Sequence, residues 1–408
     1  MLGQYRIFKK TDQDIIFKEN IMNVFIIAAP YQVLSAVEAV HHFDFKNSIL
    51  IILNIGLFSK DSFDKIIDKK YWYSVKYIDF FYFITSHDFS KVKPKNYFER
   101  LIELYLVFDQ FKKRRCIERL CRSIGYAENL FLGNYLIDYD LHMRHIANRV
   151  KFGNLFLLDV GTDTLRINKQ RICENVMDLS LRSLEIKNGE TIDLDNTKDS
   201  KKIGYQFLNY LSIQTLKKKI HSQFIEWNNR GVKKLTYFTC YSLKVNGEDR
   251  IINNNFEFSK SLIRKANCSQ DIFFLGQPLI EQGYLAPAKF FEYVKNIKKY
   301  FAGLNLFYVP HPREAEEHIQ IIQNNIGIRI KKFIAPIEHE IVASDNYPKC
   351  IGSFFSSALE NFAKIFSNNI EILAFYLLPQ HLLKDIEGVA KIYDNFKTDK
   401  NIKILLLK

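Results

Sequence analysis

Met22 to His42 reads MNVFIIAAPYQVLSAVEAVHH, and this stretch decides the fold. Asn23 to Ala29 is a continuous apolar run. A strand covered on both faces reads this way, whereas a strand with one wet face alternates. Pro30 stops the run, and from Tyr31 to His42 the apolar residues recur at helical spacing. Strand, tight turn and helix make the first half of a βαβ unit. The rhythm returns down the chain. Ser48 to Leu57, Asn129 to Leu132, Asn154 to Asp159 and Lys234 to Cys240 read as strands. Glu99 to Ser123, Asp138 to Val150 and Thr215 to Trp227 read as helices. Such alternation predicts a parallel sheet with helices on both faces.

Ile186 to Ser200 is polar and reads as an excursion, and Val245 to Phe256 as an interdomain linker. A second alternating unit follows. Its strands are Asp271 to Leu275, Leu304 to Val309, Cys350 to Phe354 and Ile370 to Ala374. Its helices are Pro287 to Phe301, Arg313 to Asn325, Ser356 to Phe366 and Gln380 to Val389. The expected class is therefore α/β, with two Rossmann-like domains whose parallel sheets face a central cleft. Residues 1–21 read as an N-terminal extension, 22–250 as the first domain and 251–408 as the second.

The bulk properties narrow the functions. A chain of 408 residues, 47% hydrophobic, has enough apolar side chain for two cores, which excludes a disordered chain. The six cysteines form no CxxC pair and share no metal-ligand spacing with the histidines, which argues against a disulfide framework or a zinc site. No apolar stretch is long enough to span a bilayer, and the first 21 residues lack the apolar core of a secretory signal. The expected location is cytoplasmic. The formal charge of +13 favours an anionic partner or reflects a Lys-rich composition, and the basic run Lys112-Lys113-Arg114-Arg115 is a solvated helix face or a peripheral contact with an inner membrane.

Ligands of open α/β sheets bind beyond the carboxyl ends of the strands. Those ends carry Ala29-Pro30-Tyr31-Gln32 and Asp159-Val160-Gly161-Thr162 in the first half. In the second they carry Gly276-Gln277-Pro278, His311-Pro312 and Ser356-Ser357. Asp159 is placed to act as a general base, or else to cap the turn at Thr162 or Asp163. Ser356 and Ser357 open a helix, where hydroxyls and free amides bind anions or simply cap. His311 follows a strand and precedes Pro312, where a protonated imidazole would neutralise a leaving phosphate or a histidine would simply serve the strand–helix turn. Glu338, at a helix start, would hold ribose hydroxyls or favour the helix dipole. Asp138-Tyr139-Asp140 matches the short DxD pattern of metal-dependent sugar transferases but reads better as helix capping. His41, His42, His142 and His145 read as surface or core residues. No phosphate-binding glycine loop and no nucleophile elbow is present.

Taken in order, Tyr308-Val309-Pro310-His311-Pro312-Arg313-Glu314, Pro336-Ile337-Glu338 and Gly352-Ser353-Phe354-Phe355-Ser356-Ser357-Ala358 resemble the HP motif, the nucleotide-binding glutamate and the paired-serine motif of bacterial sialyltransferases. The likeness is to glycosyltransferase family 52 and the related polysialyltransferases. Phe274 to Leu279 and Ala29 to Ala36 add to it. The resemblance implies a GT-B fold and inverting, metal-independent transfer of sialic acid from CMP-sialic acid to a glycan, lipooligosaccharide or capsule, with no cofactor. The acceptor stays open between a terminal galactose of a lipooligosaccharide, a capsule repeat and a growing polysialic chain, lipid-linked if the protein meets the membrane, and no nucleic acid is expected. It implies Asp159 as base, and His311 with Ser356 and Ser357 at the leaving phosphate. It also implies Gly276, Gln277, Pro312 and Glu338 around the nucleotide, and Gln32, Gly161 and Thr162 toward the sugar or acceptor. The family's acidic motif is two acids and a glycine. Only the first acid remains here, so Asp159 inherits the role, with Asp163 as the alternative. Donors carrying Kdo, legionaminic or pseudaminic acid need the same contacts, and a non-catalytic protein binding anionic glycan or nucleic acid shares the basic charge.

Overall fold

The computed structural model describes residues 23–54, 58–79, 112, 115–136, 143–159, 161, 163–176, 232–245, 247–367 and 369–407. The extension over 1–21, Asp138-Tyr139-Asp140, His142, Thr162, Ile186 to Ser200 and Thr215 to Trp227 lie outside them.

Among the described residues the first sheet has β1 (Asn23–Ile27), β2 (Ser48–Asn54), β3 (Ser74–Asp79), β4 (Tyr126–Leu132), β5 (Lys151–Leu158), β6 (Thr236–Thr239) and β7 (Arg250–Asn253). They lie in the order β3-β2-β1-β4-β5-β6-β7, all parallel. The second sheet uses β9 (Asp271–Leu275), β10 (Asn305–Val309), β11 (Arg329–Ile330), β13 (Cys350–Ser353), β14 (Glu371–Phe375) and β15 (Ile402–Leu405), in the order β11-β10-β9-β13-β14-β15 and again parallel. A short pair, β8 (Asn267–Cys268) with β12 (Asn346–Tyr347), lies beside it. Each sheet starts in its middle, winds one way and then the other. Each therefore has one switch point: between β1 and β4, and between β9 and β13. At such a point the loops diverge and leave a crevice.

The apolar runs dictate this arrangement. All five residues of β1 are buried, as are the first six of β2. Register is reinforced by an aromatic ladder. Phe25 pairs with Phe131, and Phe131 with Phe156, across β1, β4 and β5. Their rings stack at 4.2 and 4.4 Å, and each such contact adds about 0.5–1.5 kcal/mol beyond burial.

Three expectations change. The linker Val245 to Phe256 contains β7, so the first domain's sheet runs to Asn253, beyond the boundary at 250. Phe256, buried with φ of 53°, then turns the chain into the helix Glu257–Ile263. Glu38, buried on the first domain's helix Gln32–His42, accepts from the backbone N–H groups of Phe258 and Ser259 at 3.1 and 2.7 Å. The crossing is thus anchored by a helix N-terminus meeting a carboxyl. Second, the helix expected over Gln380 to Val389 is a single 3₁₀ turn, Pro379–His381, and then the helix Ile386–Thr398. Asp385 takes φ of 50° between them and breaks the run. Third, the helix expected from Arg313 begins at Glu316, because the preceding residues form a tight turn around His311.

Candidate active site

On the first domain the site begins with Asp159, the residue after β5. An apolar strand carries its carboxyl group into the interior, where it is 6% exposed. Oδ2 accepts from the Cys240 backbone N–H at 2.7 Å and Oδ1 from the Thr164 hydroxyl at 3.3 Å. Burial pushes its pKa up to about 6, against the pull of hydrogen bonds from Thr239, Cys240 and Thr164. Gly161, at φ of +62°, makes the left-handed turn that leads into the helix Asp163–Val176. Asp163, the alternative acid, begins that helix, and burial raises its pKa too.

On the second domain the residues after β9, β10 and β13 interlock. Gln277 accepts, through Oε1, from the Ser353 hydroxyl at 3.2 Å and from the Phe355 backbone N–H at 3.0 Å. It therefore ties the end of β9 to the loop that carries Ser356 and Ser357, across the switch point. Gly276 is a glycine for a visible reason. A Cβ there would drive into the Glu314 carboxyl group and the Tyr308 ring. Glu314 Oε2 accepts from the His311 backbone N–H at 2.5 Å, and Tyr308 donates its hydroxyl to Oε1.

His311 accepts from the Arg313 backbone N–H at Nδ1, at 3.0 Å. A ring nitrogen that accepts carries no proton, so the neutral ring presents Nε2–H. Burial, helped by Arg313, pushes its pKa down to about 4. This corrects the expectation of a protonated imidazole: His311 waits as a neutral donor. Pro312 beside it is exposed.

Ser356 caps in the ordinary way, accepting from the Ala358 backbone N–H at 3.3 Å. Ser357 does not. It is the N-cap of the helix Ala358–Phe366 but makes no side-chain capping bond. Its hydroxyl oxygen stands 3.6 Å from where a Cβ on Gly161 would be, so the acidic turn of one domain meets the serine turn of the other. A second contact path crosses beside it. Cys240, whose amide holds Asp159, faces Asn361 Oδ1 through Sγ at 3.9 Å, and Asn361 Nδ2 donates to Glu338 Oε1 at 3.0 Å. Burial raises the pKa of Glu338. The structure thus brings Asp159, Gly161, Ser357 and Glu338 together. Gln277 links them to Gly276 and, through Glu314, to His311.

Gln32 is the exception. It is 1% exposed, and its carboxamide is occupied: Oε1 accepts from the backbone N–H groups of Ala28 and Ala29 at 2.8 and 3.1 Å, and Nε2 donates to Gly133 O at 2.7 Å. It closes the first domain's switch point instead of facing a sugar. His145 is buried against Glu118 at 3.1 Å, as a core histidine would be. Sequence reasoning gave no role to Cys240 or Asn361, and quoted Glu314 only as part of a motif. Among the described residues no cluster of three or more His, Cys, Asp or Glu is arranged to hold a metal ion, and no helix is long and apolar enough to cross a membrane.

Two Rossmann-like domains carry this site, a buried acid on one wall and a histidine and a helix N-terminus on the other, and the chain is a glycosyltransferase. The sequence model of the alpha-2,8-polysialyltransferase family matches residues 23–374, and the chain belongs to that family. No curated protein matches it. Similar solved structures include the E. coli heptosyltransferase WaaC with ADP-2-deoxy-2-fluoro heptose, at 10% identity over 94% of this chain and 93% of that one, TM-score 0.40. Arabidopsis thaliana UGT89C1 complexed with UDP-L-rhamnose is similar at 8% identity over 93% and 84%, TM-score 0.45. CalG4, the calicheamicin glycosyltransferase, is similar at 9% identity over 94% and 86%, TM-score 0.39.

Proposed function

We propose that this protein transfers sialic acid from CMP-sialic acid to a hydroxyl of a surface glycan, inverting the anomeric centre without a metal. The observation that carries the reading is the meeting of Asp159 and its Gly161 turn with the Ser357 helix end. A base and an anion site then flank one reacting carbon. Membership of the polysialyltransferase family supports the donor, and a growing sialic acid chain as acceptor. The ordered second-half motifs keep their likeness to family 52.

Asp159 takes the proton of the acceptor hydroxyl as that oxygen bonds to the anomeric carbon. The bond from that carbon to the phosphate oxygen breaks, and CMP leaves with the electron pair. A base with pKa near 6 is largely ionised at neutral pH yet still basic enough to take a proton in the transition state. The growing charge on the phosphate is met by His311 Nε2–H and the Ser357 hydroxyl, at the positive end of the helix Ala358–Phe366. Donors already aimed at developing charge need no reorganisation. Gly276, Gln277 and Pro312 line the nucleotide side, Glu338 grips the ribose, and Gly161 lies toward the sugar and acceptor. Lys112 and Arg115 are exposed, which suits contact with the inner leaflet and a lipid-linked acceptor.

The test is CMP release from CMP-sialic acid, with and without lactose, for the wild type, Asp159→Asn and His311→Ala. Transfer lost in both variants is expected. Tight CMP binding without turnover would move the error to the sugar or acceptor, and no CMP binding would refute the reading.

A further inference from the structure

At the other end of the second sheet from His311 lies a cavity of about 620 Å³, and the mechanism above gives it no task. It opens where β10 and β11 begin, whereas the crevice beside the serines lies where β9 and β13 end. Two helices bring their last turns to it. The helix Pro287–Tyr300 carries Lys295, Lys298 and Lys299. The helix Glu316–Ile321 runs on as the π turn Ile322–Ile326, and Arg329 follows on β11. Lys298 donates to the Ile326 carbonyl at 2.5 Å and closes that helix end. Arg329 is held over the Phe307 ring at 4.3 Å. Among the described residues, Lys295, Lys299 and Arg329 form no ion pair, and no Asp or Glu lines the cavity. Helix ends attract cations, but these two carry only about half a negative charge each. Four cations against them leave about three positive charges uncompensated. A concave cluster of that kind recruits an anion.

The surroundings say which anion. Leu304 lines the cavity and Tyr300 follows Lys299 in the chain, and each is 49% exposed. A free phosphate gains nothing from an exposed leucine and tyrosine. A bilayer takes apolar side chains below its phosphates and aromatic rings at their level, and long basic side chains reach between the two zones. We propose that this cavity receives the phosphate of an anionic lipid headgroup, with Lys295, Lys299 and Arg329 around it and Leu304 and Tyr300 entering the bilayer surface. The inference deepens the membrane contact proposed above and is independent of the donor. It turns the base of the second domain to the membrane and the crevice away from it. A lipid-linked acceptor then reaches the crevice by its glycan and not by its lipid.

Co-sedimentation of the full chain with vesicles tests this, using phosphatidylcholine alone and an equimolar mixture with phosphatidylglycerol. The wild type should bind the mixed vesicles only and leave them at high salt. The triple variant Lys295→Gln, Lys299→Gln, Arg329→Gln should bind about 100-fold more weakly, the combined worth of three basic residues at such a surface. Lys298 stays, because it holds the Ile326 carbonyl. Circular dichroism checks the fold, and Lys295→Arg with Lys299→Arg should bind as the wild type does. Binding that the triple variant keeps, or that only Lys112→Gln with Arg115→Gln removes, would overturn the cavity's role. No binding by the wild type would refute the membrane contact altogether. Glycerol phosphate that binds in calorimetry without vesicle binding would assign the cavity to a free phosphate and overturn the lipid.

Discussion

Replacing Asp159 by asparagine should make the protein more stable and inactive at once, and the gain should depend on pH. Asp159 is an acid whose pKa in the folded protein, about 6, lies above the ordinary 3.8. The folded state therefore keeps this proton to higher pH than the unfolded chain does. The stabilising contribution is whole below about pH 4 and is lost as pH rises through about 6. Two units at about 1.36 kcal/mol each set the penalty for the buried charge near 3 kcal/mol above pH 7. Asparagine is the neutral shape of the same group. Its oxygen still accepts from Cys240, and its amide can donate to the Thr164 hydroxyl. Allowing for imperfect replacement of the bonds to the charged form, the expected gain is about 1–3 kcal/mol at pH 8, fading to none at pH 4. Urea unfolding of the first domain at pH 4, 6 and 8, wild type against variant, reads this directly. Transfer should fall by about 10²–10⁴, the usual worth of a positioned base. A variant destabilised equally at every pH would show that the carboxylate is not the strained group described, and the case for it as base would fall with it.

Gly276→Ala places a methyl group against Glu314 and the fully buried Tyr308, so the His311 turn must shift. About 1–3 kcal/mol of stability should be lost, with weaker CMP binding by calorimetry; unchanged affinity would mean that the turn does not touch the nucleotide. Gln32→Ala strands two buried N–H groups and one carbonyl in the first domain. It should cost about 2–4 kcal/mol while CMP affinity, a property of the second domain, stays at the wild-type value; a selective loss of CMP binding would contradict the division of roles.

The strands that face protein on both sides were legible. Asp271 to Leu275 is read from its apolar run with both ends correct, and β1, β2, β5, β10, β13 and β14 lie within a few residues of their readings. Edge strands were not. β3, Ser74 to Asp79, mixes Lys76 and Tyr77 with apolar residues and is an edge strand among the described residues, and β7 carries only Ile251 and Ile252. Site residues were legible as positions and opaque as directions. Gln32 and Gln277 both follow a strand end, so the sequence treats them alike. Only the fold shows the first closed in on three backbone groups and the second holding the serine loop. The state of His311 was hidden for a similar reason. It depends on a backbone N–H two residues away, and no pattern of residue types encodes which nitrogen that amide meets.

The two glutamines also show why the site is asymmetric. Both domains wind in the same order, and each has a crevice where its loops part. In the first domain Gln32 spans that crevice from the end of β1 to Gly133 after β4, and a side chain on Gly133 would collide with it. The opening is filled. In the second domain Gln277 spans the matching gap from β9 to the loop after β13, but it is only half-buried, and Ser353, Phe355 and then the serines hang from it. A switch point spanned by a half-buried side chain and edged by a helix N-terminus and a histidine donor is suited to an anion. A filled one cannot take a nucleotide. On the proposed reading the first domain delivers its chemistry from β5, two strands away, where Asp159 is braced by Cys240 at the domain contact. Such a base is set by the domain contact as much as by its own domain. Through Cys240 and Asn361, any movement that separates the walls also loosens the path from Asp159 to Glu338. Donor grip and base placement are thus expected to rise and fall together, and loosening Asn361 should disturb both.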